Sequence, residues 1–255
     1  MSLRITWKSC CLWTTLLVTM ALFPLAWAYP TFPGDERALM EVQGLQAGWL
    51  DQVALAVSSL GLVPVSITLI LAVSGSLLVL RHQTDALIVV LCLVPIVAGN
   101  GLKVIVERPR PDYLLVGSAP HGLSFPSGHS VYAILVGGIL IFLAEQLVAS
   151  PLLRRWLQIS IALVILAIGA SRVYLGVHWP SDVVGGYLFG SMSLLGLIAL
   201  RKRLDTNIEP ACGTRFFCVK LPGSGPDRAA SNPSLAVRAV SLGAPQLGYS
   251  WGRKR

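Results

Sequence analysis

The chain has 255 residues, of which 54% are hydrophobic and only 13% charged, with a mean hydropathy of +0.69. Soluble domains carry roughly 25% charged residues, so this composition excludes an ordinary soluble enzyme and points to one membrane-embedded domain. The net charge is +8, and much of it lies in the tail, where ten Lys and Arg from Arg201 onward face Asp205, Glu209 and Asp227. Beside a membrane such a tail reads as retention on the cytoplasmic face and contact with anionic lipid, not with nucleic acid.

Arg4 and Lys8 precede an apolar run from Cys10 to about Ala28. Ala26-Trp27-Ala28 has the small-residue spacing of a signal-peptidase site. The length equally suits a retained first transmembrane helix, the reading preferred here. Residues 30–52 mix charge with Leu39, Met40, Val42, Leu45 and Leu50, the pattern of a short amphipathic helix at the interface. The run from Val53 to Leu80 is too long for one flat crossing and contains Gly61 and Pro64, so it reads as a lead-in followed by a second span over 60–80. A third span is expected over Ala86–Val106, a fourth over Gly128–Val148, a fifth over Trp156–Val173 and a sixth over Pro180–Leu200.

These spans predict an all-α, polytopic helical bundle of about six transmembrane helices. Residues 1–204 form the membrane domain, with a core over 100–185, and residues 205–255 form a disordered, basic cytoplasmic tail. Under this count Arg4 and Lys8, Arg81, Arg154 and Arg155, and Arg201 to Arg203 share the inner side of the cell (plasma) membrane. Lys103, Arg108, Arg110 and Arg172 break the rule together on the extracytoplasmic side, where both His129 and His178 also fall. Polar groups clustered at the mouths of apolar segments mark a functional site, and this cluster suits an anionic substrate. Gly186 and Gly190 form a GxxxG that favours close packing within the bundle.

The five cysteines (Cys10, Cys11, Cys92, Cys212 and Cys218) form no CxxC pair and no cluster with histidine, so neither a zinc site nor a disulfide framework is indicated. His178 and Asp182 are four apart, and on a helix they share a face. A carboxylate there can hold one imidazole nitrogen and leave the other as an oriented lone pair, the arrangement of a histidine nucleophile. A helix-capping aspartate beside a structural histidine would give the same spacing. Ser127 is a candidate N-cap for the fourth span. Gly128 lets backbone N–H groups approach a bound anion, and His129 follows, placed to protonate a leaving oxygen. Lys103, Arg110 and Arg172 supply positive charge for a phosphoryl transition state. Arg108 rivals Arg110, since both precede a proline. Glu107 and Asp112 read as loop charges that balance these arginines, and no carboxylate cluster suited to magnesium accompanies them. His121 lies in loose loop sequence and His82 on the inner side, so neither enters the site.

Lys103 followed by Arg110-Pro111 matches KxxxxxxRP, Pro126 to His129 matches PSGH, and Ser171-Arg172, His178 and Asp182 match SRxxxxxHxxxD. In this order the three motifs resemble the signature of the phosphatidic acid phosphatase type 2 family, which also includes bacterial lipid phosphatases and soluble haloperoxidases. The resemblance implies that His178 attacks phosphorus to form a phosphohistidine, that Asp182 orients it, and that His129 protonates the leaving group. It implies that Lys103, Arg110, Ser127, Gly128 and Arg172 hold the phosphate oxygens, its spacing favouring Arg110 over Arg108, and that no metal or other cofactor takes part. The expected substrate is a lipid phosphate in the bilayer: undecaprenyl diphosphate first, phosphatidic acid or phosphatidylglycerol phosphate second. A lipid phosphotransferase and a non-catalytic binder or transporter of anionic lipid are the competing readings. Attack by neutral His178 and protonation by charged His129 together predict a bell-shaped pH dependence.

Overall fold

Hydropathy and proline placement account for most of the helix boundaries in the computed structural model, which describes residues 7–113, 116–117 and 122–212, with side chains between Thr14 and Asp205. Arg4, His121 and the expected basic tail beyond Cys212 lie outside the described residues. The first helix, α1, runs Trp7–Ala28 with Pro24 inside it. The interfacial segment expected over 30–52 is two helices, α2 (Asp35–Gln43) and the start of α3 (Gly48–Ser59), separated by Gly44 at the end of α2. Asp35 and Glu36 occupy the first turn of α2, where carboxylates complement the helix dipole.

The helix α3 is the expected lead-in. It joins α4 (Val63–Val79) at a bend of 49°, and Pro64 in the first turn of α4 sets the restart. α5 (Gln83–Leu91) and α6 (Leu93–Val106) meet at Cys92 and together make one apolar stretch of 24 residues. Pro95 lacks the N–H that would bond back to Leu91, which explains the interruption. α6 ends on Glu107 in the left-handed region (φ 52°). Pro109 and Pro111 then keep the following segment extended.

α7 spans Gly128–Leu147, α8 spans Pro151–Tyr174 and α9 spans Pro180–Cys212. Two boundaries differ from expectation. Residues 151–155, outside the fifth span expected from Trp156, are the start of α8, with Pro151 at the helix start and Ser150 accepting from Leu153 N at 3.5 Å. α9 continues past Leu204 to Cys212, because no glycine or proline interrupts it until Pro210 and Arg201 pairs with Asp205 one turn on at 2.8 Å.

Four of the described helical stretches are long and apolar enough to cross a membrane (Gln83–Val106, Gly128–Leu147, Pro151–Tyr174 and Pro180–Asp205), and the bent pair α3–α4 makes a fifth. The chain is therefore an all-helical membrane protein, and the sixth expected crossing, α1, is a 22-residue helix whose described side chains begin at Thr14.

α7 is the central helix. Val136, Ile139 and Leu143 pack with Ile70 and Leu77 of α4 and with Ile88 and Val89 of α5. Ala133 packs with Ile165 and Ile168 of α8. Lipid tails are as apolar as these side chains, so helices associate through close fit more than through exclusion of water. The GxxxG of α9 provides that fit within the bundle. A Cβ on Gly186 would stand 2.7 Å from the Ser127 carbonyl oxygen, and one on Gly190 would stand 3.0 Å from Ile134. This contact fixes the start of α9 against the start of α7, and so brings the second and third sequence motifs together.

Candidate active site

The end of α6, the segment after it, the start of α7, the end of α8 and the turn into α9 meet around a cavity of about 320 Å³. Its polar side carries Lys103, Arg110, Gly128, His129, Arg172 and His178. Its other side carries Val63 and Ile67 of α4 with Leu93, Ile96 and Val97 of α6. Val63 and Val97 are 64% and 68% exposed, so the apolar side faces outward between α4 and α6.

His178 is buried in the turn between α8 and α9. Its Nδ1 lies 3.3 Å from Asp182 Oδ2, and its Nε2 lies 3.3 Å from Arg110 Nη1. A guanidinium can only donate, so Nε2 is the acceptor and the ring proton sits on Nδ1, facing the carboxylate. Burial, reinforced by the charges of Arg110, Lys103 and Arg172, holds the His178 pKa well below 6.5. The neutral ring, with its lone pair on the cavity side, is thus the resting form.

Asp182 is fully buried behind His178 and does not line the cavity. Its Oδ2 also accepts from Trp179 N at 2.9 Å, so it caps the start of α9 while it holds the histidine. One carboxylate oxygen thus contacts both the histidine ring and the start of the helix. Arg110 is held by two carbonyls, donating from Nε to Gly122 O at 2.9 Å and from Nη1 to Val177 O at 2.7 Å.

Ser127 takes the N-cap position of α7 but makes no capping bond through its side chain. Its Oγ is buried without a partner, as are His129 Nε2, Ser130 Oγ and Arg172 Nε. A buried polar atom left unpaired is costly, so four in one neighbourhood imply a ligand that satisfies some of them. Arg172 Nη1 donates to Ser58 Oγ of α3. Lys103 Nζ and Asn100 Oδ1 face Gly128, each 3.9 Å from where a Cβ would stand, at ordinary contact distance. With the N-terminus of α7 opening on the same space, the polar side is built for an anion.

Sequence reasoning missed three parts of this arrangement. Arg108 is fully buried outside the cavity and bridges Asp182 and Asp35, at 2.6 and 2.7 Å. Its charge is therefore balanced by those two carboxylates and not, as expected, by Glu107 or Asp112. Asp35 lies 73 residues from Arg108 and carried no motif. Gly61, at the bend between α3 and α4, lies over the His129 ring, where a Cβ would come within 2.3 Å of Cδ2. Only its place in a break of the apolar run marked it. Among the described residues no group of three or more His, Cys, Asp or Glu is arranged to hold a metal ion.

A carboxylate-held histidine facing a cationic pocket in a helical membrane bundle suits chemistry on an anionic substrate. The PAP2 superfamily profile matches residues 85–205. Phosphatidylglycerophosphatase B of Bacillus subtilis is 32% identical over 178 residues, 69% of this chain and 85% of that protein. Undecaprenyl-diphosphatase of Sulfolobus acidocaldarius is 34% identical over 41% of this chain and 48% of its own length. The crystal structure of a transmembrane PAP2-type phosphatidylglycerolphosphate phosphatase from Bacillus subtilis aligns with a TM-score of 0.62 at 26% identity, covering 79% of this chain and 98% of that one. Aquifex aeolicus LpxE has the same fold, with a TM-score of 0.54 at 23% identity over 66% of this chain and 96% of its own. The chain belongs to the PAP2 superfamily, and it is a membrane-embedded lipid phosphatase.

Proposed function

We propose that the protein removes the terminal phosphate of a membrane lipid phosphate through a phosphohistidine at His178. The observation that carries this reading is the two-sided hold on the ring: Nδ1 on Asp182 and Nε2 toward Arg110 and the cavity. The Nε2 lone pair attacks phosphorus and forms the N–P bond while the bond from phosphorus to the lipid-side oxygen breaks. His129 gives its proton to that leaving oxygen. Lys103, Arg110 and Arg172 carry the charge that spreads over the phosphoryl oxygens, with Ser127 and the Gly128 backbone as further donors. Water then attacks phosphorus, giving its proton to His129. The N–P bond breaks, inorganic phosphate leaves, and both histidines return to their starting states. No step calls on a metal ion.

The lipid enters between α4 and α6, with its chain against Val63, Ile67 and Val97 and its headgroup in the cavity. The positive-inside distribution supports a site on the extracytoplasmic face of the plasma membrane, with the tail cytoplasmic. Undecaprenyl diphosphate is the substrate proposed first. Phosphatidylglycerol phosphate is the second reading, favoured by the Bacillus relative that the chain matches over most of its length.

Phosphate release by detergent-purified protein in excess chelator tests the proposal. Undecaprenyl diphosphate, phosphatidic acid and phosphatidylglycerol phosphate are the lipids, with His178→Ala as control. Chelator-resistant release that disappears in the variant is expected, and the fastest lipid names the substrate. Retained release by His178→Ala, or a strict metal requirement, would sink the phosphohistidine mechanism.

A further inference from the structure

The Arg108 side chain is fully buried and does not line the cavity, yet every nitrogen of its guanidinium donates. Nε bonds Pro30 O at 2.9 Å, Nη1 bonds Asp182 Oδ1 at 2.6 Å and Ser181 Oγ at 2.8 Å, and Nη2 bonds Asp35 Oδ2 at 2.7 Å. The Phe32 ring covers the guanidinium at 4.7 Å. Asp35 is tied in turn to the start of α9, accepting from Ser181 N at 3.0 Å and from Ser181 Oγ at 2.6 Å. α2 is thereby locked to the turn that carries the nucleophile.

We propose that Arg108 is a positioning residue for the phosphoryl transfer and that Asp35 is its anchor: together they pin Asp182 by Oδ1 and present Oδ2 alone to His178 Nδ1. This rests on the phosphohistidine reading. Held only at Oδ2, by Trp179 N, the carboxylate could pivot about that one contact and let the histidine proton move to the wrong nitrogen. With Oδ1 pinned, the proton stays on Nδ1 and the lone pair on Nε2.

Charge balance gives Asp35 its role. Arg108 and Asp182 alone would form a neutral pair, leaving little to stabilise the cationic ring that appears when Nε2 bonds phosphorus. Asp35 offsets Arg108, so one negative charge remains in the cluster for that ring. Only arginine can serve all four acceptors, because they lie around the edge of one planar fork. A lysine there keeps the charge and loses the geometry.

The test is steady-state and single-turnover phosphate release from whichever of the lipids above the wild type accepts, using Asp35→Asn, Arg108→Lys, Asp182→Asn and the double variants. Asp35→Asn is expected to lower kcat about tenfold and Arg108→Lys about 100-fold, with KM held within about twofold, because neither group touches substrate. Both losses should vanish on the Asp182→Asn background, since groups that act through one residue are not additive with its removal. Losses that multiply in the doubles, or a raised KM with kcat preserved, would overturn the proposal. Where Arg108→Lys does not fold, Asp35→Asn and Ser181→Ala decide alone, and unchanged kcat in both overturns it. Failure of the underlying reading shows separately, as release by the wild type that survives His178→Ala.

Discussion

The two ends of the helical stretch Gln83–Val106 carry the same three residue types in nearly the same geometry. At the cavity end Arg108 Nη1 lies 2.6 Å from Asp182 Oδ1, and His178 Nδ1 lies 3.3 Å from Asp182 Oδ2. At the other end Arg201 Nε lies 2.6 Å from Asp85 Oδ1, and His82 Nδ1 lies 3.3 Å from Asp85 Oδ2. Pairwise distances alone do not tell the clusters apart. Their surroundings do. The His178 side chain is 1% exposed and that of His82 is 44% exposed. The far nitrogen of His178 meets Arg110 in a cavity shared with Lys103, Arg172 and His129. The second cluster is instead a structural tie: Arg201 also reaches Gln146 Oε1 at 2.7 Å and Asp205 at 2.8 Å, and lies over the Phe142 ring. Under the proposed mechanism it is the free nitrogen facing an anion site, and not the carboxylate contact, that sets His178 apart from His82.

The largest effect expected from that difference is in the histidines themselves. His178→Ala should lower phosphate release by about 10⁴-fold or more, the scale seen when a nucleophile is removed. His82→Ala should change it less than about twofold. Comparable losses in both would mean that the second cluster is more than a tie, and the comparison would fail.

Charge around the ring comes next, through pH. Attack requires neutral His178, and its pKa is held well below 6.5 by burial first and then by Arg110, Lys103 and Arg172. The acid limb of kcat/KM should therefore lie below pH 6.5 in the wild type. Arg110→Gln removes the largest of these charge effects, so the His178 pKa rises and the limb moves up toward 6.5. Between pH 7 and 6 the variant should lose activity that the wild type keeps, by about threefold once the limb reaches 6.5. Profiles that superimpose after scaling would show that Arg110 does not act on His178.

A second imidazole, which the Arg201 cluster lacks, gives a smaller effect. Gly61 packs on the His129 ring so closely that any Cβ must displace it. Gly61→Ala should lower kcat by about tenfold, on the scale of a misplaced general acid. The loss should be smaller for a lipid diphosphate, whose leaving group is the weakly basic lipid monophosphate, than for a lipid monophosphate, whose leaving group is an alcohol. An equal loss on both would indicate a packing defect.

Much of this was legible in the chain, for a local reason. His178 and Asp182 are one helical turn apart, Pro180 marks the start of α9 between them, and Gly128-His129 opens α7, so short spacings carry the geometry. Hydropathy likewise delimited α7 to within a residue, because a membrane span must be apolar throughout. What escaped depends on distant approach. Nothing near Asp35 announces that its partners are Arg108 and Ser181, the latter 146 residues away. Two arginines that each precede a proline look alike until one is seen buried against carboxylates and the other beside His178. The reach of α9 to Cys212 was hidden because polar composition suggested a tail, while the Arg201–Asp205 pair supports a helix.

The smallest effect on turnover belongs to the second cluster, and it separates stability from chemistry. Asp85 is buried, and its carboxylate is shared between Arg201 and His82. Asp85→Asn removes the charge and keeps the shape. Arg201 is still partly hydrated and retains Asp205 and Gln146, so the loss should fall below that of a fully buried pair, at about 2 kcal/mol. For a chain of this size that is a drop of about 4–8 °C in Tm, measurable in detergent by intrinsic fluorescence. kcat and KM should stay within about twofold of wild type at a temperature where both are folded. A loss of kcat without a loss of Tm would make Asp85 part of the machinery, and the two arginine clusters would then differ in degree only.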